Sequence, residues 1–268
     1  MKVWCFILLA CAWVSAAQTV DQPTVFVLVG AAGEAELGKQ FTEAAAKLEQ
    51  VAALAQAKFV SIGWKNAETN DLARFQAALE LEPKSGPGEL WLVLLGHGTF
   101  DNKEAKFNLR GPDLSASELA EWLKPFQRPV AIVNCSSASG PFLNKLSAAG
   151  RVVVTATRSG NEQNYARFGR FLAAAITDAA ADLDRDGQVS LLEAYLAASQ
   201  RTAEFYAGAM RLATEHALLD DNGDGLGTPA DWFKGVRATR QAKEGAAVDG
   251  PDRKSTRLNS SHITISYA

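Results

Sequence analysis

The sequence predicts an α/β protein: a three-layer α/β/α sandwich with a mostly parallel central sheet, carrying a C-terminal helical extension. Two observations lead there. Short, continuous apolar runs such as Leu90–Leu95 (LWLVLL) and Pro129–Val133 (PVAIV) are bounded by turn residues and rich in branched side chains, as strands buried on both faces of a parallel sheet are. These runs alternate with amphipathic stretches long enough for helices, and strand–helix alternation implies parallel strands joined by crossovers.

Taken in order, Thr24–Val29 reads as the first strand. The Gly30–Gly33 turn after it lacks the full glycine pattern of a dinucleotide or P-loop site, so it reads as a tight strand-to-helix turn, and no organic cofactor is expected. An alanine-rich amphipathic helix follows from about Glu34 to Ala55, then a strand at Lys58–Ile62, a helix at Asn70–Leu81 and a turn at Pro83–Gly88. After the Leu90–Leu95 strand, Lys106–Leu109 reads as part of a small hairpin. Ser115, with Glu118 three residues on, forms a capping box for a helix ending near Lys124. Pro129–Val133 and Arg151–Thr155 are further strands, and a helix from about Leu191 to His216 belongs to the extension.

The ends read differently. Met1–Ala17 has one early cation, Lys2, an apolar stretch Val3–Val14 and the small residues Ser15, Ala16 and Ala17. These are the marks of a secretory signal peptide, too short for a membrane span, and they predict an exported chain, periplasmic or extracellular. Asp252–Ala268 (DRKSTRLNSSHITISYA) resembles the translation of a sequencing adapter and is expected to be foreign to the protein. Between these ends the expected plan is a sheet domain at 18–180, an extension packed on it at 181–236, and a linker or disordered stretch at 237–251. Without leader and tail the formal charge of −3 becomes about −6, which argues against nucleic acid as the main partner. Nothing in the sequence speaks to oligomeric state.

Cys5 and Cys11 leave with the leader and His262 with the tail, so one cysteine, Cys135, and two histidines, His97 and His216, remain. A lone thiol in an exported chain has no internal disulfide partner. It is a buried, inert thiol, an intermolecular partner or a nucleophile. Cys135 follows the Pro129–Val133 run, and His97-Gly98 follows the Leu90–Leu95 run. Loops at the carboxyl ends of parallel strands form the binding crevice of such sheets, and neighbouring strands lie about 4.8 Å apart, so a thiol and an imidazole at adjacent tips can share one substrate bond. The small polar residues Ser136, Ser137 and Ser139 suit an open loop there and favour the nucleophile.

An apolar strand ending in His-Gly, followed by one ending in Cys, resembles the caspase-like cysteine peptidases, and the likeness is nearest to the legumain family. Thr155–Ala166 (TATRSGNEQNYA) is similar to that family's segment after the next strand, where an acidic residue shortly before a Tyr-Ala pair lines the primary specificity pocket; Phe107–Leu114 is also similar to a family segment. The likeness covers about Thr24 to Ala180. It implies a caspase-like fold and a peptide or protein substrate. Cys135 would be the nucleophile and His97 the general acid/base, with the backbone N–H groups of Gly98 and Cys135 holding the oxyanion. Glu162 would lie in the substrate pocket, with Ser159, Asn161 and Ser136 as further contacts. With the leader, the resemblance thus implies a secreted or periplasmic cysteine endopeptidase that hydrolyses peptide bonds through this dyad and a thioester intermediate; interception of that thioester by an amine would make the same dyad a transpeptidase or transamidase. The alternative from another class is a catalytically silent, calcium-binding recognition module with the same fold.

Asp182–Glu193 fits an EF-hand loop. Asp182, Asp184, Asp186 and Ser190 supply oxygens at places one, three, five and nine; Gly187 makes the turn, Gln188 offers its carbonyl, and Glu193 closes the site. Asp220, Asn222, Asp224 and, at place twelve, Asp231 form a less regular second loop. Structural calcium is the expected cofactor. His216, without metal-ligand neighbours in sequence, reads as ordinary helix surface.

Overall fold

The computed structural model describes residues 22–65, 70–240 and 249–250. The leader at 1–17 with Cys5 and Cys11, most of the 237–251 linker, and the 252–268 tail with His262 lie outside the described residues.

The chain runs β1 (Thr24–Val29), α1 (Ala35–Leu54), β2 (Lys58–Ile62), α2 (Asp71–Glu80), β3 (Leu90–Leu95), and then three short strands, β4 (Gly98–Phe100), β5 (Ala105–Phe107) and β6 (Leu114–Ser115). It continues through α3 (Ala116–Leu123), β7 (Val130–Asn134), α4 (Gly140–Leu146), β8 (Arg151–Thr155), α5 (Phe168–Ala175) and α6 (Leu191–Gly208). The last elements are β9 (Leu218–Asp220), β10 (Thr228–Pro229), β11 (Phe233–Lys234) and β12 (Arg237–Ala238). The central sheet has the order β10-β9-β8-β7-β3-β1-β2, parallel from β8 to β2, with β9 and β10 antiparallel at one edge. Strands β4, β5 and β6 form a separate antiparallel sheet.

Side chains alternate across the central sheet, as a two-residue period requires. Val25, Val27, Val93, Leu95, Val133 and Cys135 face one core under α1, α5 and α6, whereas Phe26, Leu28, Leu92, Leu94 and Ile132 face another under α2, α3 and α4. Fully buried Phe26 alone contributes about 1.5–3 kcal/mol. Helix ends follow the local signals. Asn70 caps α2 by accepting from the Ala73 N–H at 3.2 Å, and Ser115 and Glu118 form both halves of the expected box on α3.

Two expectations about the extension change. It is not only helical: β9 joins the central sheet beside β8, and Leu191, Ala194, Tyr195 and Leu219 belong to the same core as Val93. The Tyr195 hydroxyl, buried with its ring, donates to the carbonyls of Ala217 and Thr228 and pins β9 and β10 to α6. The Leu191–His216 helix stops at Gly208, because Met210 takes a left-handed φ of 52° and residues 211–217 run without helix. Helices α4 and α5 were not expected; they are seven and eight residues long, and neither is capped by the side chain of its own N-cap residue. Among the described residues no helix is long and apolar enough to cross a membrane.

Candidate active site and calcium loops

The sheet register sets the site. Leu94 pairs with Asn134, so β3 and β7 end side by side, with His97 leaving one tip and Cys135 the other. The His97 ring packs edge-on against Phe41 of α1 and tilted against Tyr165, and its Nε2 lies 3.1 Å from the Ala32 carbonyl. The Gly30–Gly33 turn thus reaches the site through Ala32. Cys135 lines a narrow slot that it shares with Gln40, Phe41, Gly96, Tyr165 and Gly169.

That proximity does not assemble the expected dyad. No hydrogen bond joins Cys135 to His97 among the described residues. Cys135 is 3% exposed and packs against α5 so closely that a Cβ at Gly169 would sit 2.7 Å from the cysteine Cβ and 3.2 Å from its sulfur. Burial, and then the charge of Glu215, push the thiol up from its ordinary range, which disfavours the reactive thiolate. The expected oxyanion donors are also engaged. Cys135 N–H remains in the sheet ladder, bonded to the Leu94 carbonyl at 2.9 Å, and Gly98 N–H donates to Ser137 Oγ at 3.1 Å.

Nor is the strand-tip loop open. Ser136, Ser137 and Ser139 are buried. Ser137 Oγ donates back to the Gly98 carbonyl at 3.1 Å, and Ser139 and Thr157 hydroxyls pair at 3.1 Å. Ser136 donates both its N–H and its hydroxyl to Asn134 Oδ1, at 3.0 and 2.7 Å. Ala138 adopts φ 54°, a costly left-handed turn for a residue with a Cβ, and its N–H donates to the Glu162 carbonyl at 2.8 Å.

Glu162, expected in the substrate pocket, is held elsewhere. Its carboxylate ion-pairs with Arg158 Nε at 3.1 Å, meets His216 Nδ1 at 2.6 Å, and accepts from the backbone N–H groups of Arg158 and His216. His216 is therefore not helix surface; it ties the 211–217 segment to the loop after β8. Ser159 is half-buried and Asn161 exposed on that loop. The sequence reading missed Asn134, the one polar residue inside an apolar run, a signal that was visible. It also missed Glu215, which accepts from the N–H groups of Arg167 and Phe168 and so caps α5. Only the fold brings Glu215 there.

In the first acidic loop, ligand atoms of Asp182, Asp184 and Glu193 lie within 4.8 Å of one another. Asp182 accepts from Asp186 and Gly187 N–H, and Gly187 takes φ 84° as the sharp turn requires. Desolvation and the charges of Glu193, Asp186 and Asp182 raise the Asp184 carboxyl. A hard, all-oxygen donor set of this kind fits calcium, with Asp186, Gln188 and Ser190 placed along the same loop. The second loop repeats the turn: Asp220 accepts from Gly223 and Gly225, Asn222 from Asp224, and Asp224 from Leu226. Asp231, expected at its twelfth place, does not join. It sits in a 3-10 turn, largely exposed, 4.0 Å from Arg240, because the chain enters β10 instead of a helix.

Fold and site define the class of this molecule as an α/β protein with its candidate site at the tips of adjacent parallel strands. No family model matches the chain, and no curated protein is similar to it. Similar solved structures include the Drosophila initiator caspase Dronc, at 13% identity over 75% of this chain and 80% of that one, with a TM-score of 0.49. Caspase-1 from Spodoptera frugiperda is similar at 12% identity over 75% and 86%, with a TM-score of 0.47. Overlaps at this level assign no residue a role.

Proposed function

We propose that the chain is an exported, caspase-like protein of legumain type whose strand-tip site binds an extended peptide or protein segment without hydrolysing it. The observation that carries this reading is the geometry of Cys135: enclosed, with its N–H in the sheet and, among the described residues, no bond to His97. Peptide is the favoured ligand class because the resemblance read from the His97-Gly98 and Cys135 segments implies a peptide or protein substrate. Calcium at Asp182–Glu193 would brace α6 against α5 and the sheet; export rests on the Met1–Ala17 leader.

A second reading is favoured by one observation. His97 and Cys135 share the wall formed by Phe41 and Tyr165, as the dyad of a cysteine endopeptidase or transpeptidase requires if α5 moves aside. A panel of peptidyl acyloxymethyl ketones, applied to calcium-loaded protein and followed by intact mass, separates the two. The binding reading expects no adduct, together with a raised melting temperature in the matching peptide amides. An adduct that disappears in Cys135→Ala establishes the endopeptidase instead.

A further inference from the structure

The alternation that turns Cys135 into the core turns its neighbours the other way. Along β7, Ala131, Val133 and Cys135 face the core under α1 and α5, and Val130 and Ile132 the opposite one. Asn134 belongs to that second side, and the 2.7 Å bond from the Ser136 hydroxyl to Asn134 Oδ1 places Ser136 with it. Ser136 is also the first residue free of the ladder: Cys135 N–H still bonds Leu94, whereas Ser136 N–H bonds only the Asn134 side chain. Its Oγ lies against the backbone of the His-Gly turn, since a Cβ built on Gly98 would come within 2.7 Å of it. Gly98 has no room for any side chain, with the Ser137 carbonyl 2.2 Å from the same point.

An independent feature points to a ligand there. Asn134 is 0% exposed, yet among the described residues its Nδ2 has no acceptor. Ser136 N–H fixes the orientation of the carboxamide, because a flip would set donor against donor. A buried donor left without a partner is destabilising, and a peptide carbonyl beside Ser136 would satisfy it.

We infer that Ser136, not Cys135, occupies the attacking position of this site, and that Asn134 Nδ2 holds a peptide carbonyl beside a hydroxyl that does not attack. The hydroxyl is inert because its proton lies on an amide oxygen, which is no base, while His97 Nε2 is turned to Ala32. This rests on the binding reading above and deepens it.

The test converts the position. In Cys135→Ala/Ser136→Cys, the new thiol should displace the carboxylate of a peptidyl acyloxymethyl ketone and form a thioether. One adduct per chain is expected, with labelling slowed about a hundredfold or more when His97→Ala is added. Wild type and Cys135→Ala should remain unlabelled. A folded Ser136→Cys protein that stays unlabelled overturns the inference and leaves the binding reading standing. Wild-type labelling that depends on Cys135 overturns both. A measurement on wild type needs no substitution: the Asn134 side-chain amide resonance should move when peptide amide saturates the protein. Saturation without that movement, or no binding across the panel, removes the proposed role of Nδ2.

Discussion

At the scale of residues, one methylene and one sulfur decide how the site reads. Cys135 fits under α5 only because residue 169 has no side chain, and that contact keeps the thiol out of water. The same burial makes the thiol a reporter of stability. Its folded pKa is raised above the unfolded value near 8.5, so the stabilisation is complete below about pH 8.5 and is lost as pH rises above it, at about 1.4 kcal/mol per pH unit. Urea unfolding between pH 8 and 10 should therefore show stability falling more steeply in wild type than in Cys135→Ala. Parallel slopes in the two would mean that the thiol is already ionised in the folded state. The Asp249 carboxyl, pushed up to about 8 by burial and by Asp221 beside it, acts on the acid side of that window. Legibility at this scale was partial. The residue types at positions 97 and 135 were visible in the sequence, but the direction of each side chain was not, because a one-residue shift along a strand exchanges its faces.

Among the elements, short polar signals fixed the starts of α2, α3 and α6, and buried charge fixed one helix in place. Asp71, at the start of α2, is 0% exposed and receives Arg110 Nε at 2.8 Å and Nη2 at 3.2 Å, with Arg74 as a further partner. Asp71→Ala leaves those donors facing α2 without their acceptor and should cost about 3 kcal/mol, read as a lower urea midpoint at unchanged slope. An unchanged midpoint would show the cluster to be dispensable. The first acidic loop offers a separate test. Glu193 caps α6 through Ser190 and also belongs to the carboxylate group, so Glu193→Gln retains the capping geometry while removing the charge. Calcium should raise the melting temperature of wild type, by the equivalent of about 2.7 kcal/mol at a hundredfold excess over its Kd, and leave Glu193→Gln unmoved. Equal wild-type midpoints in calcium and chelator would count against the ion. The parallel strands β1, β2, β3, β7 and β8 and helices α1 to α3 could be read from runs and caps. Helices α4 and α5 could not, since neither start carries a side-chain cap of its own and Glu215 reaches α5 only in the fold.

For the whole molecule, the extension and the sheet domain share one core. Tyr195 of α6 is buried among residues of β9 and β10, Tyr206 donates to Glu215, and Glu215 caps the helix that lies on Cys135. A boundary at 180 would divide this core, so truncation there should expose Val93, Val154 and Leu172 and leave the remainder aggregation-prone. The sequence by itself determined the alternation of strands and helices, the tips at His97 and Cys135, and the first oxygen-rich loop, because each is a local pattern of hydrophobicity, spacing or turn chemistry. Only the tertiary structure decided that Cys135 faces the core, that Ser136 faces Gly98, that Glu162 is paired with His216, and that Asp231 lies apart from its loop. Those four facts depend on strand face, register and the path of distant segments, which are set by packing and not by neighbours in sequence.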